Sequence, residues 1–256
     1  MITAIRAELL KIRTTRMTAG LLALAAGWTA LVAVIESARS GPGGLVPTLS
    51  GGGLRDVLTS TGFGLILAMV FGVTVATGEF RHKTATDTYL DEPNRTRVLA
   101  AKTITAGIGG LAFGLAATAV ATTAGLAFAA AKGYPLALSA AAIARYCAGA
   151  ILAAGLLAAA GAALGTLIRN QVSAIIAVFT WCFGIEQILG GLSHRLAPYL
   201  PFTAAASMAG AANGAMPPMP SGMTPLPFTA VAGLLAALSI AIAAVTTRTT
   251  LRRDIT

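Results

Sequence analysis

The side chains able to do chemistry are few and unevenly placed. Residues 78–102 read GEFRHKTATDTYLDEPNRTRVLAAK, which puts Glu79, Arg81, His82, Asp87, Asp91, Glu92, Arg95, Arg97 and Lys102 in one short stretch. Outside it, Glu186 is the one carboxylate well inside a long apolar run. The chain contains no G-x-x-x-x-G-K-[ST] phosphate loop, no H-E-x-x-H and no G-x-S-x-G, so phosphate cradling, zinc-dependent hydrolysis and elbow-type serine chemistry have no motif to rest on. The charges are therefore read for pairing and docking rather than for making and breaking bonds, and no catalytic residue or metal site is assigned.

These residues sit in a strongly apolar chain. Of 256 residues 56% are hydrophobic and 11% charged, with a mean hydropathy of +0.79. Soluble domains usually carry about 25% charged residues. The deficit predicts an all-α, polytopic membrane protein forming a single transmembrane domain over residues 1–256. The net charge of +9 is assigned to topology and headgroup contact rather than to nucleic acid, because basic residues flank membrane spans for that reason. Cys147 and Cys182 both fall in apolar runs and read as small core thiols.

Crossing a hydrocarbon core of about 30 Å takes about 20 helical residues. Six runs qualify: 17–35, 57–78, 103–131, 146–168, 172–192 and 228–247. The third is long enough to tilt or emerge. Gly110-x-x-x-Gly114 and Gly161-x-x-x-Gly165 are small-residue pairs of the kind that lets helices approach closely, read here as packing rather than as a dimer seam. Of the 18 basic residues, all but Arg39, Arg55, Lys132, Arg145 and Arg195 fall on the same side as the N-terminus. The positive-inside rule then puts both termini and the 79–102 loop in the cytoplasm of a cell membrane. His82 and His194 are thereby placed on opposite sides, where they cannot share a site.

Residues 2–16 pattern as an amphipathic helix. Ile5, Leu9 and Ile12 share a face, Arg6, Arg13 and Arg16 lie largely off it, and Glu8 and Lys11 lie near its edges. Such a helix is expected to rest in the membrane interface, apolar face down, and to be retained rather than cleaved as a signal peptide.

In the charged loop, residues 84–91 can form about two helical turns before Pro93, which lacks an N–H and disfavours helical geometry at Glu92. Asn94 is placed to cap a new helix running into the third span. Tyr89 and Leu90 give the short helix an apolar tip, rimmed by Asp87, Asp91 and Glu92. That pattern suits a groove on a soluble partner, although an ordinary solvated connector has the same composition. Arg95, Arg97 and Lys102 are expected to meet anionic headgroups.

The order Glu79-Phe80-Arg81-His82, Thr84, Tyr89-Leu90, Pro93, Arg95, Arg97, Ala101-Lys102 resembles the loop between spans two and three in permeases of the type 2 ABC exporter family. The six-span layout and basic amphipathic N-terminus are similar as well, while Lys83 stands where many relatives have glycine. The resemblance implies that residues 84–91 form a coupling helix docking on a separate ATPase subunit. Glu79, Arg81 and His82 would hold its base, with Thr84, Asp87, Tyr89, Leu90, Asp91 and Pro93 at the junction. It implies ATP and magnesium bound by that partner rather than by this chain, and a second permease copy, or a paired permease, to complete the pathway. It also implies an exporter's role, with the 2–16 helix as an elbow on the bilayer. An alanine- and leucine-rich pathway favours amphipathic or lipophilic cargo: drug, antibiotic, lipid or glycan precursor.

Glu186, with Gln187, is the candidate for a pathway or gate contact, since ionisable groups at depth are costly. Gly190 and Gly191 just beyond it favour a plainer reading, a carboxylate at a helix break reaching outer water or pairing with Arg195 or Arg145. Residues 193–227 hold seven prolines and read as an outer or re-entrant segment, with a short helix over 200–210. Two rivals remain on the sequence: an ATP-independent secondary transporter or channel, which needs ion-coupling groups near the midplane, and a membrane scaffold or sensor that uses the same loop for recruitment.

Overall fold

A computed structural model describes residues 2–39, 61–81, 94–132, 139–210 and 223–249. Every regular element among them is helical. In chain order they are α1 (Ile2–Thr14), α2 (Arg16–Arg39), α3 (Gly62–Arg81), α4 (Arg95–Lys132) and α5 (Ala140–Ile168). The fifth apolar run is interrupted: α6 (Gln171–Phe179), a π-helical turn (Thr180–Ile185), then α7 (Glu186–Leu192). A 3-10 turn (Ala197–Tyr199), α8 (Pro201–Met208) and α9 (Phe228–Thr249) complete the chain.

Six stretches are long and apolar enough to cross a membrane: α2, α3, α4, α5, α6 with α7, and α9. They coincide with the six runs expected from hydropathy. The main shift is in α4, which begins at Arg95 rather than near 103. Asn94 caps it, its Oδ1 accepting the Arg97 N–H at 3.2 Å, which satisfies one of the orphan donors of the first turn. The 38 residues of α4 extend about 57 Å at 1.5 Å each, well beyond the hydrocarbon core. The short helix expected over 84–91 lies outside the described residues. The one expected over 200–210 is present as α8, entered through Pro201 at a first-turn position where the missing N–H costs nothing.

The bundle is organised around α5, which packs on α3, α4 and α9. Small residues set its approach distances. A Cβ added at Gly72 would collide with the Ala158 carbonyl, and one at Gly161 with the Met69 carbonyl, so α3 and α5 touch backbone to backbone at a reciprocal crossing. Gly110 and Gly114 of α4 press on Ala158 and Ile151 of α5. Both small-residue pairs thus serve contacts inside the chain. Hydrogen bonds add to them: Ser239 Oγ donates to the Leu156 carbonyl at 3.1 Å and Thr246 Oγ1 to the Ala163 carbonyl at 3.2 Å, joining α9 to α5. Phe71 of α3 stacks on Phe113 of α4, with ring centroids 4.8 Å apart. In contrast α2, α6–α7 and α9 leave most of their surface uncovered within the chain.

Candidate functional site

The densest polar cluster among the described residues lies where α3 ends, and it joins three elements. Glu79 is in the last turn of α3, Lys102 is two turns into α4, and Glu8 and Lys11 are one turn apart on α1. The four close a ring of alternating charge. Lys11 Nζ is 2.8 Å from Glu8 Oε1 and 2.8 Å from Glu79 Oε1, while Lys102 Nζ is 2.8 Å from Glu79 Oε1 and 3.4 Å from Glu8 Oε2. Each lysine meets both carboxylates, and the ring is neutral.

Burial gives the ring its weight. The side chains of Lys102, Glu8 and Glu79 are 4%, 8% and 10% exposed, and that of Lys11 is 51% exposed. Withdrawing a charge from water costs several kcal/mol unless good pairing offsets it. Three such charges persist here because each has two opposite partners or a partner in common. At Lys11 partial burial pulls the ammonium pKa down, but the hydrogen bonds and charges of Glu79 and Glu8 outweigh it and leave the pKa above its ordinary value.

Two expectations are corrected by this geometry. Lys102 does not reach headgroups: it is 3% exposed and turned into the ring. The stripe of α1 is not free to lie in lipid. Ile12 packs against the hydrophobic core, Ile5 and Leu9 are half-buried, and Glu8 sits among them facing inward. The sequence pattern puts Glu8 and Lys11 at the edges of the α1 stripe and assigns them no site role. The available signal was Glu8 itself, which follows Ile5 by three positions and precedes Ile12 by four, placing a carboxylate on the apolar face where it needs a partner.

Of the other loop residues, Arg81 is exposed at the end of α3, Arg97 is exposed and Arg95 half-buried at the start of α4. The ring does not bring them in. His82, Thr84, Asp87, Tyr89, Leu90, Asp91 and Pro93 lie outside the described residues. The two stems of the loop, α3 and α4, are clamped to each other and to α1 through Glu79 and Lys102.

A third buried carboxylate is at the far end of the bundle. Glu186 is 1% exposed and accepts the backbone N–H groups of Phe202 and Thr203, the first turn of α8. It neither reaches water nor pairs with Arg195 or Arg145: a helix N-terminus, with its unpaired donors and positive dipole end, takes the place of a cation. The π-helical turn immediately before Glu186 widens the helix there, and Gln187 Nε2 fills in by donating to the Cys182 carbonyl at 3.1 Å. The other end of α8 is pinned to α5, where Gly149 admits the Met208 carbonyl and Tyr146 covers Gly210. Glu186 thus fastens α8 across α5 and α6–α7.

Among the described residues no group of three or more His, Cys, Asp or Glu side chains could hold a metal ion, and both cysteines are free. No protein-family model matches the chain, and no curated protein matches it.

Proposed function

We propose that this protein is the membrane-spanning subunit of an ATP-driven ABC exporter, driven by a separate ATPase subunit that docks on residues 84–91. The observation that carries the reading is the ring at the loop's base. A loop that only connected two spans has no need of a four-charge clamp across its stems with three of the charges buried. A loop that receives a push does, because the clamp passes displacement to α3, α4 and α1 together. In this reading both termini are cytoplasmic, α1 is held at that end by its ion pairs to the stems of the loop, and ATP and magnesium belong to the partner. The uncovered faces of α2, α6–α7 and α9 meet lipid and a second permease copy. Cargo is amphipathic or lipophilic, in keeping with spans whose buried charges are consumed by internal pairing.

A secondary transporter would need a carboxylate at depth able to exchange an ion. Glu186 is the candidate, and each of its carboxylate oxygens already accepts a backbone N–H from the first turn of α8; that contact favours the exporter reading over this rival. The test is capture and turnover. The purified protein in lipid nanodiscs is mixed with candidate ABC ATPase subunits, and binding and ATP-dependent export into vesicles are measured. Capture is expected, and Tyr89→Ala should weaken it about tenfold or more, as loss of a buried aromatic anchor does. If no ATPase is captured, or if Tyr89→Ala and Pro93→Ala leave ATP-dependent export at the wild-type rate, the proposal fails. Ion-driven uptake without ATP that is abolished in Glu186→Gln would instead establish the rival.

A further inference from the structure

We infer that Arg169, in the turn between α5 and α6, is a positioning residue that carries movement of the 82–93 loop into that helix pair. Its guanidinium contacts Phe80 among others, and the inference rests on the coupling reading above. Glu79 and Phe80 are consecutive in the last turn of α3, so their side chains leave the helix about 100° apart. Glu79 points to Lys11 and Lys102. Phe80 points elsewhere: the Arg169 guanidinium carbon lies over its ring, 5.8 Å from the centroid, within the range of cation–π attraction. The base of the loop therefore has two grips. One holds α1 and α4; the other holds the turn that joins α5, the packing hub, to the interrupted α6–α7 helix.

The backbone at Arg169 supports a role for its side chain. It closes α5 in the left-handed conformation, φ 58° and ψ 0°, and is the one non-glycine residue with positive φ among those described. Glycine is the usual residue at such a helix end because it carries no Cβ penalty. An arginine held there over an aromatic ring points to use of the side chain, since backbone strain persists where the surroundings require it. The turn itself is well formed without the guanidinium: the Arg169 N–H donates to the Gly165 carbonyl at 2.9 Å, and Asn170 caps α6 by accepting the Ser173 N–H at 3.0 Å.

The experiment uses the permease bound to its ATPase in nanodiscs. Ser173→Cys, exposed just past the turn, is introduced with Cys147 and Cys182 replaced, and its maleimide labelling rate is measured with and without ATP plus vanadate. Trapping should change the rate in the otherwise wild-type complex. Arg169→Gln, which keeps a polar side chain and the backbone constraint but removes the charge, should cut that response about fivefold, within the range of coupling effects, without altering ATPase capture. Arg169→Lys should retain most of it. Phe80→Leu should behave as Arg169→Gln does, and Phe80→Trp as wild type. Arg169→Gly relieves the backbone, so it should be at least as heat-stable as Arg169→Gln while responding as weakly, a combination that a purely structural role does not produce. An undiminished response in Arg169→Gln and Phe80→Leu overturns the inference. So does a captured ATPase whose trapping leaves Ser173→Cys silent, and in that case the coupling reading stands. Failure of the wild type to capture any ATPase removes both.

Discussion

At the scale of single residues, three of the four ion pairs in the ring join members that lie far apart in sequence. Lys102 and Glu8 are 94 positions apart and Lys11 and Glu79 are 68 apart, so no local pattern could join them. The sequence placed Glu79 at the loop base, and the structure gives that position a concrete partner set. It placed Lys102 at the membrane surface because a lysine near a span end ordinarily snorkels to headgroups; two buried carboxylates hold it inside instead. The ring makes a sharp prediction about single and double changes. Lys102→Met leaves two carboxylates facing one half-exposed lysine and should cost about 3–5 kcal/mol, as breaking a buried ion pair does. Adding Glu79→Gln restores neutrality, with Lys11 facing Glu8 alone, and should recover a good part of that loss. Thermal unfolding in detergent, followed by tryptophan fluorescence, would measure both. A double variant no more stable than Lys102→Met would show that the four charges do not act as one unit.

At the scale of elements, the six apolar helices were legible because length and hydropathy alone decide them, and the Asn94 cap because its side chain acts within one turn. The interruption between α6 and α7 was not, since a π-helical turn is fixed by what surrounds it: the Glu186 carboxylate reaching α8 and the Gln187 amide reaching Cys182. Glu186→Ala should release the first turn of α8 and cost about 1.5–3 kcal/mol for each charge-assisted hydrogen bond lost, while Glu186→Gln, which keeps one acceptor, should cost less. Protease sensitivity between α7 and α9 reports this directly, and equal resistance in wild type and Glu186→Ala would refute the capping role. The helix crossings give a second test. Gly161→Leu must force α5 away from the Met69 carbonyl, and overpacking of this kind costs about 1–3 kcal/mol or more. Gly233 on α9 has nothing within 4 Å of an added Cβ, so Gly233→Leu should be tolerated within the chain. If both variants unfold at the wild-type temperature, the α3–α5 crossing is not as close as described. If Gly233→Leu alone disturbs the protein, the α9 face is covered by another molecule.

At the scale of the whole molecule, the bundle has two unlike ends, and which one faces the cytoplasm decides whether the loop can meet an ATPase. One end carries α1, the charge ring, the stems of the 82–93 loop and the α5–α6 turn; the other carries α7, the 3-10 turn and α8. With six crossings the two chain termini fall on the same side. The basic residues gather at the first end, where Arg6, Arg16, Arg81, Arg95, Arg97, Arg169 and Arg248 are found, and positive charge is retained on the cytoplasmic side during insertion. The prediction is therefore directional. In a background with Cys147 and Cys182 replaced, His194→Cys, exposed beyond α7, should react with a membrane-impermeant maleimide in intact cells. Arg6→Cys, exposed on α1, should react only after the membrane is opened. The reverse pattern would place the ring and the loop outside the cell, away from ATP, and with that the coupling role of residues 84–91 could not hold. Labelling of both sites in intact cells would require an even number of crossings between them instead of the five made by α2, α3, α4, α5 and α6–α7, and would mean that one of those five, with the interrupted α6–α7 first in question, does not cross.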